Sequence, residues 1–212
     1  MLIRSHLVVT AFLDSLSHSL KSIKPSAELT SIQKLVLATL IVGIIVTETL
    51  NWAAFERMSL GKFKSTRICW IVYSAKIAWD HMLQASVRNI MSRYGIISGT
   101  IVIDDSSKKR SKNTTRIEGT HKVKDKSTGG YFNGQELVFM ILVTDVATFP
   151  VGFRFYVPDP ELSAWLKNDK ELRKKGIVKK ARPKRPEPDH SRFPTRQMLA
   201  LDMICEFVSQ FP

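Results

Sequence analysis

The sequence predicts an α+β protein: a helical part to about residue 97, then a β-rich part closed by a helix. Three observations carry this. Apolar residues recur at helical spacing through the first part, beginning with Leu7, Val8, Ala11, Phe12, Leu16 and Leu20. From Gly99 the pattern changes to short β-branched and aromatic runs at 101–103, 137–143 and 151–157. Gly129-Gly130 and Pro150 punctuate the polar stretches between them. With 212 residues and 44% hydrophobic content, the chain can hold one ordinary domain and a smaller one. The expected division is 1–97 and 98–212.

In the first part, a helix is expected over 6–20. It ends at Lys24-Pro25-Ser26, where proline cannot continue it. Ser31 reads as the N-cap of a second helix carrying Leu35, Leu37, Leu40 and Ile44. Its apolar run, 35–46, is short of the roughly twenty residues that a bilayer span needs, so a buried helix is expected and no membrane partner. An aromatic segment at 50–57 follows, then Gly61, then Lys62-Phe63-Lys64-Ser65-Thr66-Arg67. Residues 68–91 read as one long helix, with Tyr94-Gly95 as its end. Trp52, Trp70 and Trp79 read as core residues. Basic residues at the turns leave two readings. Lys62, Lys64, Arg67, Arg88 and Arg93 touch phosphates from a helix-turn-helix, or they are merely solvated on a bundle.

The second part opens on a short buried strand, Ile101-Val102-Ile103, closed by Asp104-Asp105-Ser106-Ser107. A carboxylate at the end of a buried strand is costly unless a cation meets it, so a divalent metal or a basic side chain is implied. Asp and Ser are also ordinary turn residues, and a plain turn remains the other reading of this stretch. Residues 106–130 are too polar for a core and read as a basic surface loop or irregular hairpin. The run 137–143 is apolar throughout and reads as a central strand, pairing antiparallel with 151–157 through a short turn. Pro158 to Phe193 reads as a linker, with Pro183, Pro186 and Pro188 against a continuous helix. Its basic stretch, 167–185, is either a mobile solvated loop or a phosphate-binding strap. Pro194-Thr195 opens an amphipathic helix with Met198, Leu199, Leu201, Met203, Ile204, Phe207 and Val208 on its apolar side.

The charge is strongly one-sided: 32 Lys and Arg against 19 Asp and Glu, a net +13. Such an excess favours polyanionic partners. Cys69 and Cys205 stand far apart in apolar contexts, which excludes a disulfide framework and points to a reducing compartment.

An ordered set of motifs in the second part resembles the DDE transposases of bacterial insertion sequences, whose catalytic core is RNase H-like. The residues are Ile101 to Lys109, then Ile117-Glu118-Gly119-Thr120-His121, Tyr131-Phe132-Asn133-Gly134-Gln135-Glu136, and Phe149-Pro150-Val151-Gly152-Phe153-Arg154-Phe155-Tyr156. The match covers about 98–160, with looser similarity through 195–210. It implies a partial, truncated RNase H-like core: a three-stranded β-meander plus a helix, with basic loops at 106–130 and 160–193. It also implies a chemistry in which three carboxylates hold two Mg2+ (or Mn2+) ions for in-line attack on a phosphodiester. The resemblance makes Asp104 or Asp105 the first carboxylate: the family pattern of Asp, one residue, then a hydroxyl favours Asp104, whereas the acid directly before two hydroxyls in some relatives favours Asp105. Lys108, Lys109, Arg110, Lys112, Arg116, Lys122, Lys124, Lys174, Lys175, Lys179 and Lys180 become candidate DNA contacts, and His121 a neighbour of the site or of DNA.

The sequence departs from the family where the other two carboxylates belong, after the helix at 195–210. Asp145, Asp202 and Glu206 read as structural or solvated. The expectation is therefore the N-terminal part of a truncated transposase, with its metal weakly bound or absent and no DNA cleavage by the isolated chain. Its partners would be DNA at transposon ends and a second copy or an intact transposase, in the bacterial cytoplasm at the nucleoid. A non-catalytic basic DNA-binding protein is the alternative. A sheet without its fourth strand would also leave an unpaired edge.

Overall fold

The computed structural model describes residues 2–114 and 117–211, with side chains from Leu7 onward. The chain divides into two compact units at Ile97/Ser98. The first unit is helical and the second holds an antiparallel sheet with helices, an α+β arrangement.

The first unit comprises α1 (Leu2–Ile23), α2 (Ser31–Thr47), α3 (Trp52–Met58), α4 (Ser65–Ser74) and α5 (Trp79–Tyr94). Thr30, not Ser31, caps α2. Its hydroxyl accepts from the Gln33 backbone N–H, while the Gln33 side chain accepts from the Thr30 N–H. This reciprocal pair satisfies two donors that the first helical turn leaves open. Leu13, Leu16, Leu20, Val36, Leu37 and Phe55 are buried in the core. Gly43 lets α2 approach the Phe55 ring, and a Cβ there would stand 2.6 Å from the ring edge. Gly95 ends α5 in the left-handed conformation at φ 62°.

The single helix expected over 68–91 is two helices. Ala75 takes an extended conformation, and Ile77 in the break is buried. No Pro or Gly marks this break, and the apolar spacing runs across it. Trp70 and Trp79 are exposed rather than core; Trp52 is half-buried, edge-on to Phe55.

The second unit has four strands among the described residues: β1 (Thr100–Lys109), β2 (His121–Lys124), β3 (Tyr131–Val143) and β4 (Thr148–Tyr156). The expected three-stranded meander gains β2. β3 is central: β1 lies along one side of it, while β2 and β4 share the other side end to end. The strand expected at 101–103 as buried is ten residues long and mostly exposed, with only Ile101 and Ile103 half-buried. It stands at the edge of the sheet, and solvent along that edge accepts the charged half, 104–109.

Two further helices complete the unit, α6 (Pro160–Lys174) and α7 (Arg196–Gln210). The stretch expected as a linker from 158 thus begins with a four-turn helix. Asp159 accepts from the N–H groups of Glu161 and Leu162, and Pro160 sits in the first turn, where its missing N–H costs nothing. The prolines at 183, 186 and 188 come after the helix and never interrupt it. Thr195 caps α7 as expected. The buried stripe of α7 is Leu199, Met203 and Phe207, narrower than the apolar side read from the sequence, because Met198, Leu201 and Val208 are exposed.

No single helix among the described residues is long and apolar enough to cross a membrane. α2 and α3 reach that length only together, and they are bent by 95°.

Candidate nucleic-acid interface and the acidic pair

Strand alternation sorts the second unit's side chains onto two faces. Ile101, Ile103 and Asp105 pair across β1–β3 with Leu142, Met140 and Val138. This is the face that α7 covers. Met203 meets Met140 and Gly152 there, and Glu206 pairs with Arg154. Val102 and Asp104 pair with Ile141 and Phe139, which lie beside Pro150 and Phe153 of β4 on the opposite face. Both Asp104 and Asp105, with Ser106, Phe139, Ile141 and Pro150, line an open cavity of about 450 Å³.

In register, Asp104 and Asp105 pair on opposite faces of the sheet. Asp104 accepts from the N–H of Asp105 at 2.8 Å, and Asp105 lies 3.9 Å from Lys126 Nζ. Among the described residues, no group of three His, Cys, Asp or Glu side chains comes together as metal ligands. The two aspartates do not fit a two-metal site by themselves. Asp145 lies in the bend between β3 and β4, and Glu206 is engaged with Arg154.

His121 is tied into a cluster that the sequence did not show as one. Its Nδ1 donates to the Gly119 carbonyl at 2.9 Å, and its Nε2 faces Glu136 Oε2 at 2.9 Å. Arg196 donates to Glu136 Oε1 at 2.7 Å and lies 4.2 Å over the Tyr156 ring. Glu136, His121 and Tyr156 all fall on the α7 side of the sheet. The cluster joins β2, β3, β4 and the start of α7. His121 acts here as an internal strut, and Glu136 and Arg196 are its unforeseen partners. The sequence signal for them was weak: Glu136 is one acid among polar residues, and Arg196 lies 60 residues on.

The candidate DNA contacts fall into three groups. Lys108, Lys109, Lys112, Lys122 and Lys124 are exposed, on β1, the following turn and β2. Lys108, Lys122 and Lys124 share the Asp104 face. Arg110 is not a free cation. Its Nε and Nη2 both donate to the buried Gln135 Oε1, at 3.0 and 2.8 Å, while Gln135 Nε2 donates to the Glu118 carbonyl. Gln135 thus ties Arg110 and Glu118 to the sheet. Arg116 lies outside the described residues.

The third group surrounds α6. Lys174, Lys175, Lys179 and Lys180 are exposed, with Lys167, Lys170, Lys184 and Arg185. The 175–189 segment folds back along α6 rather than hanging free. Trp165 Nε1 donates to the Pro183 carbonyl at 3.0 Å, and Arg182 reaches the buried Asp169 at 2.6 Å.

In the helical unit, Lys62, Lys64, Arg67 and Arg93 are exposed, and Lys64 pairs with Glu56 at 3.4 Å. The α3–α4 connection runs from Ser59 to Lys64, longer than the three or four residues of a helix-turn-helix. Comparison with protein-family models, with curated proteins and with solved structures gives no match for this chain.

Proposed function

We propose that this chain is a nucleic-acid-binding protein of transposase type, acting on double-stranded DNA such as transposon ends in the bacterial cytoplasm. The observation that carries the reading is the cation distribution. Nine exposed Lys and Arg side chains cluster on α6 and the segment behind it, one of them, Arg173, paired with Asp169, within a chain of net charge +13. Such clusters release counterions from a phosphate backbone and bind it in a salt-dependent way. The transposase part of the reading rests on element order: a strand carrying an acidic pair, an antiparallel partner, a Pro-containing return strand and a helix against one face.

Asp104 and Asp105 alone do not make a two-metal site, and no third ligating side chain joins them among the described residues, which favours a binding role for this chain over cleavage. A second copy, or an intact transposase contributing its own carboxylates, is the natural partner for chemistry that needs Mg2+ or Mn2+. The test has two arms. Duplex binding measured against salt should weaken steeply as salt rises. Magnesium-dependent nicking of a supercoiled plasmid should be absent. Clear nicking that disappears in the Asp104→Ala/Asp105→Ala double variant would overturn the binding-only role, and salt-insensitive or absent duplex binding would overturn the function.

A further inference from the structure

We propose that α6 and the 175–189 segment form a preassembled cationic ridge for the phosphate backbone of duplex nucleic acid, with Asp169 as its positioning residue. This deepens the nucleic-acid reading above and rests on it. Three ties hold the segment along the helix. Asp159 accepts the Asp189 N–H at 3.4 Å, Trp165 bonds the Pro183 carbonyl, and Asp169 takes Arg182 at 2.6 Å as well as Arg173 at 2.8 Å. Helical spacing puts Leu162, Trp165, Asp169 and Leu172 on one stripe, and these are the buried or half-buried residues of α6. Lys167, Lys170 and Lys174 fall on the opposite stripe, all exposed. The segment therefore covers the inner stripe and leaves the cations outward.

Asp169 is the central tie. Its side chain is 9% exposed and that of Arg182 11%. The Arg182 Nε is buried without a hydrogen-bond partner among the described residues. Burying that donor is unfavourable, so the Asp169 pairing has to offset it, and loss of Asp169 is the change that frees the segment. A freed segment must be ordered again on each binding event, which lowers affinity.

The sign of the effect separates this role from simple charge. Asp169 is an anion amid cations, so by Coulomb attraction its removal would strengthen binding to a polyanion. Positioning predicts the opposite. Fluorescence anisotropy of the full chain on a short mixed-sequence duplex, titrated across salt, should show Asp169→Asn binding about tenfold more weakly than wild type. Asp169→Glu should recover most of that loss. Trypsin should cut within 175–185 much faster in Asp169→Asn than in wild type. Trp165→Phe removes one neutral tie without changing charge and should give a smaller loss, which keeps the test decisive if Asp169→Asn does not fold.

Wild-type binding with Asp169→Asn equal or tighter would overturn this proposal while the nucleic-acid reading stands. Wild-type protein that ignores the duplex, or that binds only phosphatidylserine vesicles, would overturn both.

Discussion

Glu136 on β3 and Arg196 at the first position of α7 are joined by a 2.7 Å hydrogen bond across 60 residues of sequence. The other Glu136 oxygen faces His121 of β2 at 2.9 Å. One carboxylate thus anchors the closing helix and the short second strand to the central strand. Glu136→Ala removes the shared carboxylate, leaving His121 only its Gly119 and Tyr156 contacts and Arg196 only the Tyr156 ring. Losing one partner of a buried ion pair costs about 3–5 kcal/mol, and the exposure of Arg196 reduces this to about 2 kcal/mol. Urea unfolding followed by far-UV circular dichroism should show that loss. An unchanged midpoint would mean the cluster is not structural.

Gly43→Ala tests the α2–α3 packing. Alanine favours a helix interior over glycine by about 1 kcal/mol. Its Cβ, however, would stand 2.6 Å from the buried Phe55 ring, and forced overpacking costs about 1–3 kcal/mol. A net destabilisation of about 1 kcal/mol is expected in thermal melts. Stabilisation would place the ring elsewhere.

Arg110→Gln separates internal cations from free ones. Arg110 spends its Nε and Nη2 on Gln135, whereas Lys175 is exposed. Arg110→Gln should lower stability by about 1–2 kcal/mol, as loss of a charged hydrogen bond does. It should leave the salt slope of duplex binding unchanged. Replacing Lys174, Lys175, Lys179 and Lys180 together by Gln should reduce that slope by about 3–4.

The Asp125 turn between β2 and β3 has its own pH limit. The Ser127 hydroxyl donates to the Asp125 carboxylate at 2.6 Å and the Ser127 N–H at 2.9 Å. These bonds, with help from Thr128, bring the Asp125 carboxyl from its ordinary value of 3.8 down to about 2. A lowered carboxyl contributes to the folded state above the unfolded value and loses that contribution as pH falls through the folded one. The turn should therefore hold at pH 4 and above and loosen between about pH 4 and 2. Chemical shifts of the Ser127 amide, followed by NMR through an acid titration, should report this, and Asp125→Ala should abolish the transition.

Much of the fold was written locally. The switch at Gly99 from helical spacing to β-branched runs separates the two units at almost the position where they divide. Pro194-Thr195 marked the start of α7, and Gly95 the end of α5. These are properties of a few neighbouring residues, so a linear reading reaches them. The one-sided charge and the positions of most exposed lysines were equally open to it.

Contacts between distant residues decided the rest. The helix read over 68–91 breaks at Ala75, which is extended, with Ile77 buried beside it, although no Pro or Gly marks the place. Arg110 reads as a free cation until Gln135, 25 residues later, takes its guanidinium. The 160–174 stretch became a helix whose inner stripe is covered by residues that seemed to forbid one. The acidic pair shows the division most plainly. Strand alternation already implied that only one of its two aspartates faces a given site; the register with β3 decided which, pairing Asp105 with Val138 on the α7 side and Asp104 with Phe139 on the other.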